Sequence, residues 1–208
     1  MTEQKRDFYI QRDLQEYEDP RPDWLKGKYG MLSDRDIRGC LEEGIIKIEP
    51  LDLEKLEEII DNSCKIDFHL GNVLTGYVKG KIAVIKLSEP IPRELQEDIY
   101  IRDGESHVLH QGDHFLAKTK ERLVLPTYIA ARIEGKSSVA RKGIKVEAAA
   151  VFDAGWDGIP TLELKNEGPT AIEVAPGDEI CAFTFHLLTS PALKPYQGRY
   201  QNQSNPRY

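Results

Sequence analysis

Cysteine is scarce in this 208-residue chain: only three occur, at positions 40, 64 and 181. An odd number spread so widely excludes a disulfide framework and the paired cysteines of a zinc knuckle, and reads as buried thiols in a reducing compartment. Long apolar runs are missing too. None approaches the roughly 18 residues of a membrane span, and the charged N-terminus lacks a secretory leader's hydrophobic segment, so a cytoplasmic protein is expected. Positive charge is also in deficit: 28 Lys and Arg against 35 Asp and Glu leave a formal charge of −7. General nucleic-acid binding rests on neutralising many phosphates, and that balance argues against it. A small polyanion stays within reach only where basic side chains cluster locally.

Turn formers are plentiful. Sixteen Gly and 12 Pro beside 40% hydrophobic residues allow a core interrupted by many turns, which leans toward β structure. The length suits one domain, with or without a small appendage. Residues 1–30 read as that appendage, dense in charge and broken by "EDPRPDW", with Tyr9, Tyr17 and Trp24 as candidate anchors or else as parts of a loosely ordered tail. Ser33 as N-cap, Asp34 and Asp36 in the first turn, and Gly44 as stop predict a short helix over residues 34–43, with Ile37 and Leu41 on its apolar face. "IIKIEPL" then reads as a strand and "LEKLEEIID" as a second short helix. From residue 64 onward, brief β-forming runs alternate with turn signals, predicting a sandwich, jelly roll or small barrel. Beyond Leu193 the polar "KPYQGRYQNQSNPRY" shows no apolar periodicity and has the composition of a disordered end.

Two stretches concentrate chemistry. In "EGKSSVARKG" (134–143), a glycine after a strand is followed by Lys136, Ser137, Ser138 and Arg141. Backbone N–H groups, hydroxyls, an ammonium and a guanidinium can together meet a phosphate chain. Taken alone, the same cluster is more often a solvated loop. In "VFDAGWDGIPTLELKN", a tight glycine-bearing turn enters a strand on which Ile159, Thr161 and Glu163 face one side and Pro160, Leu162 and Leu164 the other. Glu163 is then either solvated or aimed into a pocket. Asp153 either closes the turn or contacts a ligand, and Trp156 either fills core or lines a site. His107, His110 and His114 do not converge on a metal, because Gly112 places a turn among them and strand alternation separates the first two.

Together with "MLSDRDIRGCLEEGIIKIEP" (31–50), "DNSCKIDFHLGN" (61–72) and "YQGRYQNQSNP" (196–206), and in this order, these stretches resemble the dCTP deaminase branch of the dUTPase superfamily. The resemblance implies a mainly β subunit, a distorted β-barrel or jelly roll of the dUTPase-like β-clip type with short N-terminal helices. It divides the chain into an extension (1–30), a β domain (31–193) and a tail (194–208) that closes over the nucleotide. It further implies a homotrimer with active sites between subunits, and zinc-independent deamination of dCTP to dUTP and ammonia. By position, Glu163 takes the catalytic glutamate's place, with Ser137 and Arg141 holding the attacking water. Lys136 and Ser138 lie near the phosphates, accompanied by Mg2+ on the triphosphate. Asp153 and Trp156 pack the deoxyribose, main chain around Ala148, Ala149 and Ala150 reads the base, and Tyr196, Arg199, Tyr200 and Gln203 of the tail reach the triphosphate.

Kinship leaves dTTP open as an effector. This chain departs from the family in having "VEAAAV" (146–151) where a His-x-Thr-Ala-Gly pattern is usual, in a loop about one residue short. Its lysine before the two serines resembles members that go on from dUTP to dUMP and pyrophosphate. The alternatives are a dUTP diphosphatase without deaminase activity, in which Asp153 orients water, and a non-catalytic nucleotide-binding trimer. Glu163 argues for deamination, since that position is generally apolar in pure dUTPases.

Overall fold

The Ser33 hydroxyl accepts the Asp36 N–H at 3.3 Å and opens helix α1 (Asp34–Glu42), whose Ile37, Cys40 and Leu41 are buried. Gly44, at φ +66°, ends it as expected. The computed structural model describes residues 18–60, 63–78, 80, 84–147 and 151–206. The expected second helix is reduced to one turn, α2 (Leu56–Ile59), after a 3-10 turn over Leu53–Lys55; its apolar content is only enough to bury Leu56 and Ile60. The N-terminal segment docks on α1. Trp24 lies over Gly39, where a Cβ would come within 3.1 Å of the indole, and donates to Glu43 at 3.0 Å, while Leu25 is fully buried. Tyr9 and Tyr17 lie outside the described residues.

The rest is mainly β. The strands are β1 (Gly30–Met31), β2 (Lys47–Glu49), β3 (Ile66–Tyr77), β4 (Gln96–Tyr100), β5 (His107–Leu109), β6 (His114–Thr119) and β7 (Arg122–Val124). They continue as β8 (Ile129–Gly135), β9 (Ile144–Glu147), β10 (Val151–Phe152), β11 (Asp157–Gly158), β12 (Thr161–Asn166), β13 (Ile172–Val174) and β14 (Glu179–Leu187). A single turn of helix, α3 (Ser137–Ala140), follows β8. The main sheet runs β10-β8-β14-β3-β6-β12-β9, with β1 added on β14 and β4 on β3. Register irregularities in β3 between Leu70 and Leu74 and in β14 between Glu179 and Cys181 bend these strands. The sheet curls into a half-barrel, in keeping with the expected distorted barrel.

Inside the curl sit Phe68, Phe183 and Phe185, fully buried, with Phe152 edge-on to Phe183 at 5.2 Å and to Trp156 at 4.8 Å. Each such side chain contributes about 1.5–3 kcal/mol through removal from water. Cys40 and Cys181 belong to this core, but Cys64 is exposed, which corrects the expectation of three buried thiols. Cys64 precedes β3, outside the packed strands.

Candidate active site

Strand β12 and the two residues before it alternate as the sequence predicts: Pro160, Leu162 and Leu164 are buried, whereas Ile159, Thr161 and Glu163 are half-buried. Antiparallel pairing sets Leu116 of β6 opposite Glu163, and Glu147 of β9 opposite it on the other side. The face bearing Thr161 and Glu163 is the floor of a cleft of about 180 Å3 lined by Leu116, Val151, Phe152, Asp153, Trp156, Thr161, Glu163, Tyr196, Tyr200 and Gln203. The volume falls below the roughly 300–1,000 Å3 of sites that engulf a drug-sized ligand, so it suits a flat ring and a small appendage with any further groups outside.

The wall opposite the floor comes from the turn before β11. The Trp156 N–H donates to Asp153 O at 3.0 Å, and Gly155, at φ +86°, has no space for a side chain because a Cβ would lie 2.5 Å from Pro195. Trp156 is 4% exposed, so it fills core, and it also borders the cleft. Asp153 is exposed at the rim.

The polar tail, whose composition suggested disorder, is tied down by backbone bonds. Tyr196 N–H donates to Ala154 O at 2.9 Å, Asn202 N–H to Asp157 O at 2.7 Å, and Ile159 N–H to Gln203 O at 2.8 Å. Gln203 Nε2 also meets Thr161 Oγ1 at 2.5 Å, and Gln201 Nε2 donates to Gly155 O at 3.1 Å. Asp157, which receives the tail, is itself clasped by Arg122 through two bonds of 2.8 Å. Such bonds depend on main chain and carry no hydrophobic period, so composition alone misses them.

Of the residues singled out from sequence, Glu163, Asp153, Trp156, Tyr196, Tyr200 and Gln203 therefore share one cleft. Ser137, Ser138 and Arg141 do not line it: they are exposed on and after α3, beyond the Gly135 end of β8, whereas the cleft strand β10 pairs with Ala131 and Arg132. Lys136 is tucked beneath that turn, bonded to Asp67 of β3 and, at 2.7 Å, to Glu179 of β14. Burial by itself would pull its pKa down, but the two carboxylates outweigh that and hold the ammonium above the usual lysine range. Arg199 does not line the cleft: its guanidinium lies 5.9 Å from the Tyr200 ring centre, and it lines a separate cavity with Tyr77, Pro90 and Ile91. Ala148, Ala149 and Ala150 lie outside the described residues.

Leu116, Val151, Phe152 and Thr161 complete the cleft and are not among the site residues expected from sequence. Thr161 shares the Glu163 face by simple alternation, so its place was readable; Leu116 joins only through the β6–β12 register, which pairs residues 47 positions apart.

Comparison with known proteins follows the same outline. A family model described as "dCTP deaminase-like" matches residues 31–188. A protein named dCTP deaminase from Thermomicrobium roseum is 39% identical over 183 residues, covering 85% of this chain and 91% of the relative. One named "dCTP deaminase, dUMP-forming" from Dictyoglomus thermophilum is 39% identical over 182 residues, covering 85% and 92%. Among solved structures, a 2'-deoxycytidine 5'-triphosphate deaminase from Agrobacterium tumefaciens superposes with a TM-score of 0.57 at 22% identity, over 76% of this chain and 48% of that one.

Proposed function

Because this chain belongs to the dCTP deaminase-like family, we propose that it replaces the 4-amino group of dCTP by water, giving dUTP and ammonia, and carries the product on to dUMP and pyrophosphate. The observation that bears most weight is Glu163, a carboxylate half-buried on the floor of a cleft whose apolar lining includes Leu116, Val151, Phe152 and Trp156. In such a setting a carboxylate can take a proton from water as it attacks C4 and deliver one to the departing nitrogen. Water supplies the oxygen, the C4–N bond breaks, and ammonia carries the nitrogen away. Asp153 and the edge of Trp156 would flank the deoxyribose, and Tyr196, Tyr200 and Gln203 would close over it, excluding bulk water.

The cleft volume favours base and sugar inside, phosphates outside. Ser137, Ser138 and Arg141, exposed and away from their own cleft, are suited to meet those phosphates and the reacting water in a neighbouring copy, within a homotrimer. Lys136 would support the same phosphate-facing turn, and Arg199 would swing from its present cavity to join it. The base-reading role stays with main chain at Ala148–Ala150. Residues 1–30, 31–193 and 194–208 would act as extension, catalytic domain and lid of a cytoplasmic enzyme, with dTTP as a candidate effector. Magnesium would arrive on the substrate and would supply positive charge to offset that of its phosphates. Among the described residues no group of three His, Cys, Asp or Glu side chains gathers to hold a metal.

Relatives of equal identity named for deamination, with and without dUMP formation, favour this reading over a diphosphatase alone. Purified protein with magnesium and dCTP should release ammonia and accumulate dUMP with pyrophosphate. Accumulation of dUTP would remove the second step; dCTP left intact while dUTP is cleaved would replace the whole reading.

A further inference from the structure

Resting on the reading of the Glu163 cleft as a nucleotide site, we propose that Lys118 is a positioning residue for that site, latching the C-terminal tail shut through Asn205. Pairing of β6 with β12 sets Leu116 opposite Glu163 and Lys118 opposite Thr161. Leu116, Thr161 and Glu163 line the cleft, and Lys118 is the next same-face position of β6, about 7 Å further along the floor. Its Nζ donates to Asn205 Oδ1 at 3.3 Å. Beside it, Gln203 Nε2 reaches Thr161 Oγ1 at 2.5 Å and Asn205 O at 3.0 Å. Thr161 of the floor and Lys118 of the adjacent strand thus hold two tail residues on either side of Ser204.

The lysine stem is confined. Gly71 packs against it so closely that a Cβ there would lie 2.8 Å from Lys118 Cγ. Burial lowers the pKa of its ammonium, and the group it meets is a neutral amide oxygen rather than a carboxylate. A cation donates more strongly to an oxygen acceptor than a neutral group does, which favours the contact with Asn205. Since Lys118 lies outside the cleft lining, its part is to set how long the lid stays closed, not the chemistry beneath.

The test is hydrogen exchange of the Asn202 and Gln203 amides, which donate to Asp157 O and Tyr200 O, in the full chain. Lys118→Met and Asn205→Ala should each speed exchange about tenfold, with the double variant no faster than either single, as a shared contact requires. Asn205→Asp should slow exchange in the parent and fail to do so in the Lys118→Met background. With dCTP, Lys118→Met should raise KM about tenfold while kcat stays within about twofold, and Lys118→Arg should retain the parent KM. Unchanged exchange, or additive effects of the two singles, overturns the latch. If the parent releases no ammonia from dCTP, the nucleotide reading fails and the exchange result alone decides the latch.

Discussion

Gln203 and Thr161 meet side chain to side chain at 2.5 Å, which bolts the C-terminal tail to the strand that carries Glu163. Closure of the tail and placement of the candidate acid–base group are therefore parts of one arrangement. Gln203→Ala removes the bond without touching the cleft's apolar walls. A hydrogen bond of this kind contributes about 1 kcal/mol, so KM for dCTP should rise about fivefold with kcat little changed. Steady-state kinetics check this; an unchanged KM would separate the tail from nucleotide retention.

Ser137 and Arg141 do not line the Glu163 cleft of their own chain, so the proposed site, which uses all three, would draw them from two copies. Ser137→Ala and Glu163→Gln homomers should each be nearly inactive. Mixing the two, unfolding and refolding them together, should restore ammonia release, since some interfaces then pair an intact serine turn with an intact glutamate. No recovery in mixed oligomers would count against shared sites.

The three thiols should differ sharply in reactivity. Burial pushes the Cys40 pKa up to about 12 and Cys181 higher still, so both stay protonated and shielded at pH 8, whereas Cys64 is exposed. A disulfide reagent such as DTNB should titrate one thiol quickly in the native protein and three in denaturant. Rapid reaction of two or more native thiols would contradict the packing around α1 or β14.

His186 gives a pH signature. Burial, helped by Arg132, lowers its pKa in the folded protein, while the unfolded chain takes its proton near pH 6.5. Above that pH both states are neutral there and stability is unaffected; as pH falls below it, the unfolded state protonates first and folding weakens. Urea midpoints should fall between pH 7 and pH 5 more steeply for the parent than for His186→Gln, which keeps a polar partner for Thr184. Equal slopes would remove His186 from the acid response.

Local features were legible where one short stretch carried all the physics. Ser33 and Gly44 bracket α1, and the alternation from Ile159 to Leu164 correctly divides β12 into a core face and a cleft face. Contacts set by long-range register were not. Leu116 enters the cleft, and Lys136 meets Asp67 and Glu179, only after β6, β3 and β14 take their places. The tail misled in another way: its order rests on main-chain bonds from Tyr196, Asn202 and Gln203, which hydrophobic patterning does not report. Resemblance to a family supplied the order of the motifs, but not which of them one chain can bring together.

The most direct test of the account is Glu163→Gln, which keeps size and hydrogen bonding while removing the proton acceptor. Ammonia release from dCTP should fall by at least about a thousandfold, consistent with loss of general acid–base catalysis, while dCTP still binds within a fewfold of the parent affinity by calorimetry. Turnover persisting near the parent rate would contradict the central claim that this carboxylate moves the protons of deamination.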